Sequence, residues 1–95
     1  MPPRKREARP EHLAFQEALG QTIRALRKPR LNQDDFADVV GVYRSHMGLI
    51  EQGKLDVRLS TLLAVAEALD LPLSALIQQV EVRLAGKQTD PEAEG

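Results

Sequence analysis

The sequence contains no cysteine and few aromatic residues, namely two phenylalanines and one tyrosine among 95 residues. Without cysteine the chain can form neither a disulfide nor a thiolate-ligated metal site, and this composition is compatible with an intracellular protein. No apolar run approaches the roughly 20 residues that a membrane-spanning helix needs. The first residues, MPPRKREARP, are basic but lack the apolar segment of a secretory signal. These absences argue against a disulfide-stabilised or membrane-spanning protein.

The residues that do dominate are leucine, valine and alanine, within a hydrophobic content of 42%. Such a composition favours helices packed through aliphatic side chains over a β-sandwich, and the length suits one small domain. Apolar residues recur at helical spacing in five stretches. We therefore predict an all-α, compact five-helix bundle. A flexible basic arm is expected over residues 1–10, the folded domain over 11–84 and a disordered tail over 85–95.

Three of the five predicted helices flank the centre of the chain. The first is predicted from Glu11 to Arg27. The fourth is predicted to begin at an N-cap formed by Ser60 or Thr61 and to reach Leu69. Its inward side is expected to comprise Leu59, Leu62, Leu63, Ala66 and Leu69. The fifth helix is expected to have Pro72 in its first turn.

Two short helical patterns meet at a turn in the stretch from Gln33 to Gln52. Asn32 is a suitable N-cap for the first of them, and Gly41 lies where it must stop, because glycine adopts a left-handed conformation at little steric cost. A short turn that contains glycine can set two helices at a steep angle, so this spacing predicts a helix-turn-helix. The inward residues of the two helices are Phe36, Ala37, Val40, Met47 and Ile50.

The charges are distributed unevenly along the chain. The formal net charge of −1 alone argues against a nucleic-acid partner. Through Arg58, however, eleven lysines and arginines stand against eight acidic residues, whereas two stand against six beyond it. The basic half contains the helix-turn-helix, and a local field rather than the total charge steers a polyanion. The basic arm is either a solvated tail or a further contact with phosphates.

Catalytic chemistry finds little support in the sequence. The two histidines, His12 and His46, are far apart and lack carboxylates at metal-ligand spacing. No serine is accompanied by a recognisable general base and an acid that would orient it, and no glycine-rich phosphate loop is present. We therefore expect no enzymatic activity, no cofactor, no metal and no small-molecule substrate.

Four segments resemble, in order and at nearly the same spacing, the Cro and phage-repressor type of helix-turn-helix regulator, also called the Xre type. They are IRALR at 23–27, NQDDFA at 32–37, GVYRSHMGLIEQGK at 41–54 and LSTLLAVAEALDLPLSALI at 59–77. The resemblance implies a lambda-repressor-like fold and a prokaryotic or phage transcriptional regulator, a repressor or autoregulator, that is cytoplasmic and associated with the nucleoid. Small members of this family include controllers of restriction-modification operons and phage switches.

The resemblance also implies roles for residues around the second helix of the motif, 44–52. Arg44 and Ser45 match base readers, and Arg44 could bond guanine O6 and N7 in a bidentate manner. Leu49 matches a further reader. Apart from the resemblance, Gly48 inside this helix costs about 1 kcal/mol against alanine, which indicates a packing contact or a close approach, and close approach to DNA would be one. For Leu49 and Tyr43, packing against the chain or a partner is an open alternative.

Phosphate contacts are expected on both sides of that helix, whereas another pair of residues matches a structural contact. Arg27 and Glu51 match an ion pair of the family, which would fix helix orientation more surely than it adds stability. The residues expected to contact the DNA backbone are Asn32, Gln33, Tyr43, His46, Gln52, Lys54 and Arg58.

The fifth predicted helix has more apolar residues than one face should need. A partly exposed apolar patch indicates a partner surface, so we predict a homodimer with an interface at Leu73, Leu76, Ile77 and Val80. Such a dimer would bind a palindromic operator in double-stranded DNA. The alternative is an antitoxin, or another protein-interaction module with the same fold, whose acidic C-terminal half suits a protein partner such as a toxin.

Overall fold

The computed structural model describes residues 9–88, with side chains through residue 86. It contains the helices α1 Pro10–Arg27, α2 Gln33–Val40, α3 Arg44–Glu51, α4 Leu59–Ala68 and α5 Leu73–Gln88, and no strand within the described residues. The predicted all-α, five-helix architecture is confirmed. No helix in this part of the chain is by itself long and apolar enough to cross a membrane. Helices α4 and α5 together have the length and composition of a span, but the chain bends by 96° between them.

Two domain boundaries differ from the prediction. Pro10, assigned to the arm, is the first residue of α1, where its fixed φ suits a helix start. Helix α5 continues through Gln88, so residues 85–88 are helical and do not belong to a disordered tail. The remaining predictions for the arm, at 1–8, and for the tail, at 89–95, lie outside the described residues.

The ends of the short helices follow from local chemistry. Asn32 Oδ1 accepts a hydrogen bond of 2.8 Å from the backbone N–H of Asp35, which caps α2 as expected. Gly41 has a φ of 90° and ends α2 in the left-handed conformation. Asp70 takes the same type of conformation, with a φ of 58°, after α4. The prediction that Ser60 or Thr61 caps α4 was wrong, because Arg58 has extended backbone there and its carbonyl closes the first turn with Leu62 N at 2.9 Å.

The core lies where α1 packs against α3 and α5, while α2 and α4 close the other side. Two leucines of α4 that we expected to face inward, Leu59 and Leu63, are 64% and 47% exposed. Val65 is buried instead. The side of α4 that faces the core is formed by Val65, Ala66 and Leu69, and Leu63 projects to one side of it. The largest buried side chains belong to Ile23, Phe36, Met47, Ile50, Val65, Leu69, Leu76 and Val80.

Helix α5 uses part of the predicted dimer interface inside the monomer. Leu76 and Val80 are 0% exposed, because this face of α5 packs against α1 and α4. The prediction that these two residues contact a second subunit was therefore wrong. Leu73 and Ile77 are only partly buried. Other apolar side chains of α4 and α5 that stay exposed are Leu59, Leu63 and Val82.

Candidate nucleic-acid interface

Helix α3 has one buried side and one exposed side. Met47 and Ile50 are 0% and 1% exposed and fix the helix to the core. Gly41 ends α2 and is the first of the three turn residues, 41–43, that lead into α3, which packs against α2. The side that remains open carries residues predicted to contact DNA, namely Arg44, Ser45, His46, Leu49 and Gln52, with Tyr43 exposed just before the helix.

Two glycines allow α1 to approach the end of α3 closely. A Cβ atom added at Gly20 would collide with the carbonyl oxygen of Ile50 and would lie 2.7 Å from the carbonyl oxygen of Glu51. Gly53, with a φ of 71°, lies so near α1 that an added Cβ would be 2.6 Å from Glu17 Cα. Sequence reasoning missed Gly20, although a glycine in the middle of a long helix costs about 1 kcal/mol and so signals a close contact.

A hydrogen bond reinforces this junction. The side-chain amide of Gln16 donates to the carbonyl oxygen of Gly53 at 3.0 Å, in a partly buried position. Because Gln16 lies on α1 and Gly53 follows α3, this bond fixes the chain as it leaves α3. Gln16 was not among the residues that the sequence analysis selected, since its contact depends on how the helices pack.

Arg27 and Glu51 form a buried, bidentate ion pair between α1 and α3. Arg27 Nε donates to Glu51 Oε2 at 2.7 Å, and Arg27 Nη2 donates to Glu51 Oε1 at 2.9 Å. The third nitrogen, Nη1, donates to the carbonyl oxygen of Leu31 at 3.1 Å, which holds the connection to α2. The hydrogen bonds to Glu51 raise the pKa of Arg27, so the guanidinium stays charged at every pH of interest. One side chain therefore ties together α1, α3 and the segment before α2.

Gln33 extends this network to the start of α2. Its side-chain amide nitrogen donates to Glu51 Oε1 at 3.1 Å. The amide nitrogen carries two protons, and this bond uses one of them. Gln33 is therefore oriented by the same carboxylate that holds Arg27.

Gln33 lines an open cleft of about 340 Å³ between α1, α2 and α3. The cleft brings together Gln33, Gly48 and Gln52 from the predicted DNA contacts and adds Arg24, which sequence reasoning missed. Arg24 is exposed and lies three residues before Arg27, hence on the same side of α1. The three-residue spacing from Arg27 was the sequence signal that could have identified Arg24. The predicted contacts Lys54 and Arg58 are exposed in the loop before α4 and do not line the cleft.

Arg44, the first residue of α3, makes an ion pair with the start of α2. Its Nε atom lies 3.1 Å from Asp34 Oδ1. Both side chains are mostly exposed, at 71% for Arg44 and 59% for Asp34. Asp34 lies in the first turn of α2, and sequence reasoning did not pair it with Arg44, because the contact joins two helices.

The chain is similar to known regulators. The family model described as a helix-turn-helix domain matches residues 18–77. The control protein C.SmaI of Serratia marcescens is 32% identical over 64 residues, which span 66% of this chain and 76% of that protein. The immunity repressor protein of Bacillus phage phi105 is 42% identical over 60 residues, which span 62% of this chain but only 42% of the repressor.

A solved structure agrees with these relatives. The crystal structure of the restriction-modification controller protein C.AhdI from Aeromonas hydrophila superposes with a TM-score of 0.63 and 36% sequence identity, over 66% of this chain and 97% of that chain. Fold, site and relatives together define a DNA-binding transcriptional regulator, which acts in the cytoplasm and is not an enzyme. The chain belongs to the helix-turn-helix family of the Cro and phage-repressor, or Xre, type. The family prediction is confirmed.

Proposed function

We propose that the protein is a sequence-specific repressor or autoregulator that reads the major groove of double-stranded DNA with α3, acting on the nucleoid. The observation that carries this proposal is the arrangement of α3, whose inner side is locked by Met47 and Ile50 while Arg44 stands exposed at its N-terminal end. The N-terminal residues of a recognition helix are those that reach base edges. Arg44, Ser45, Gly48 and Leu49 are the proposed base-reading residues.

Three of the proposed phosphate contacts, Arg24, Gln33 and Gln52, line the cleft. Gln33 keeps one amide proton available beyond its bond to Glu51, and Arg24 adds a positive charge beside it. Phosphate contacts of this kind fix the register of a reader on the duplex without reading sequence. In this proposal the backbone contacts comprise Arg24, Asn32, Gln33, Tyr43, His46, Gln52, Lys54 and Arg58.

Selection of bound duplexes from a random pool at physiological salt tests the proposal directly. The wild-type protein should enrich one sequence class. Arg44→Ala should lose about 1–3 kcal/mol on the selected duplex and relax the preference at one position. Arg24→Ala should instead weaken binding to all duplexes equally and reduce the salt slope by about 1. A pool in which the wild type enriches nothing would contradict sequence-specific binding.

We also propose that the protein binds a palindromic operator as a two-fold dimer through α4 and α5. One helix of eight residues contacts few base pairs, so two copies facing half-sites about 10 base pairs apart would supply the missing specificity. Apolar side chains on these helices remain available, since Leu59 and Leu63 are exposed and Leu73 and Ile77 are only partly buried. Exposed apolar surface favours a partner.

Sedimentation at micromolar concentration tests this interface. Leu63→Asp should give a folded monomer from a dimeric wild type. Val82→Asp is the matched control: Val82 is also exposed, but it follows the buried Val80 by two residues and so lies on the opposite side of α5. A monomeric wild type would instead favour the second candidate, an antitoxin whose α4 surface binds a toxin, and a toxin gene beside this one would support that candidate.

A further inference from the structure

The ion pair between Asp34 and Arg44 joins the two helices of the helix-turn-helix on their exposed side. Asp34 is the second residue of α2, and Arg44 is the first residue of α3. Their contact, 3.1 Å between Arg44 Nε and Asp34 Oδ1, uses the inner nitrogen of the guanidinium. Because both side chains are exposed, the pair contributes little to folding. Its main effect is to orient the guanidinium group of Arg44.

An unrestrained arginine at this position has two competing partners on DNA. It can bind guanine through two parallel hydrogen bonds, or it can neutralise a phosphate at any sequence. Asp34 engages Nε and leaves the two terminal nitrogens, which can form the bidentate pair with guanine O6 and N7. The carboxylate also repels phosphates, so it disfavours the sequence-independent contact.

We propose that Asp34 determines specificity by positioning Arg44 for guanine and against phosphate. This inference rests on the proposed function of α3 and deepens it. Specificity is a difference between two affinities, and a residue can raise it while lowering the affinity for all DNA. Asp34 is thus a positioning residue, and Arg44 is the residue that contacts the base.

The experiment must distinguish the positioning of Arg44 by Asp34 from the general effect of one negative charge on DNA binding. Asp35 provides the matched control, because it is the next residue in the same turn, has the same charge and is also exposed. Its backbone N–H bonds to Asn32, and this bond is unaffected by a change of the side chain to the amide. Both Asp34→Asn and Asp35→Asn remove one negative charge near the DNA, but only Asp34→Asn replaces the ion pair with Arg44 by, at most, a weaker neutral hydrogen bond.

The experiment measures binding to the duplex selected by the wild type and to the same duplex with the Arg44-dependent base pair replaced. That base pair is identified as the position whose preference Arg44→Ala loses. The proteins compared are the wild type, Asp34→Asn, Asp35→Asn, Arg44→Ala and the double variant Asp34→Asn/Arg44→Ala. Circular dichroism checks that all of them are folded.

We expect Asp34→Asn to lower the ratio of the two affinities by about two- to fivefold, the effect of one exposed ion pair. Asp35→Asn should leave the ratio unchanged while strengthening binding to both duplexes. In the Arg44→Ala background, Asp34→Asn should no longer alter the ratio. An Asp34→Asn variant that keeps the wild-type ratio, or a change that persists without Arg44, would overturn the positioning role alone. A wild type that selects no sequence would overturn this role together with the proposed function.

Discussion

Gly20 allows the recognition helix to pack on α1, and its replacement by alanine tests how that helix is held. The added Cβ would collide with the carbonyl oxygen of Ile50 and lie 2.7 Å from the carbonyl oxygen and 2.9 Å from the carbonyl carbon of Glu51. All three atoms belong to backbone, which cannot rotate away as a side chain would. The variant must therefore move the C-terminal end of α3 away from α1.

The expected loss follows from two opposing terms. Alanine favours a helix over glycine by about 1 kcal/mol. Overpacking costs about 1–3 kcal/mol, and the upper end applies because the contact is with backbone. The net loss should be about 2 kcal/mol, which lowers the Tm of a domain this size by about 8–16 °C.

Gly86→Ala is the control. Gly86 also lies in a helix, α5, but an added Cβ there would meet nothing within 4 Å. This variant gains the helix preference without the collision, so its Tm should rise by a few degrees. The difference between the two variants in thermal or urea unfolding then measures the steric cost. If Gly20→Ala melts at or above the wild-type temperature, the close packing of α1 on α3 described above is incorrect.

Two further predictions concern the helix-turn-helix itself. Gly48→Ala should raise the free energy of unfolding by about 1 kcal/mol, because the added Cβ would approach only Gln33 Oε1, at 4.0 Å. The same variant should weaken DNA binding, because we propose that α3 approaches the bases at Gly48. Unchanged DNA affinity would show that Gly48 does not lie in the interface. Asn32→Ala should lose about 1 kcal/mol in urea unfolding because it removes the cap of α2, and an unchanged midpoint would argue against that cap.

The sequence could predict the parts of the fold that depend on neighbouring residues. Asn32 and Gly41 delimit α2 because capping and the left-handed turn are local chemistry, and the resemblance identified the positions of Arg27 and Glu51. The inner face of α4 was harder to predict. Its sequence, LSTLLAVAEA, is apolar on several sides, so periodicity could not decide whether Leu63 or Val65 faces the core.

The candidate site was harder to predict from the sequence, because several of its residues are brought together only by contacts between helices. Gly20 matters because α3 lies against α1, and Asp34 matters because Arg44 begins the next helix. Arg24 joins the cleft only once α1, α2 and α3 are assembled. The sequence offered hints for Gly20 and Arg24, but only the packed helices show which atoms these residues meet, and no spacing along the chain pairs Asp34 with Arg44.

Glu51 links the stability of the fold to the proposed interface, since its carboxylate binds both Arg27 and Gln33. Glu51→Ala would leave the buried Arg27 without its partner and should cost about 3–5 kcal/mol of stability, together with DNA affinity. Gln33→Ala keeps the ion pair, so it should lose affinity while the unfolding free energy falls by only about 1–2 kcal/mol, the contribution of one partly buried hydrogen bond to a charged group. Unfolding and DNA titration of both variants separate the two roles. If Glu51→Ala is as stable as the wild type, the ion pair does not hold α1 to α3; if Gln33→Ala binds DNA normally, the network ends at Glu51 and does not reach the phosphates.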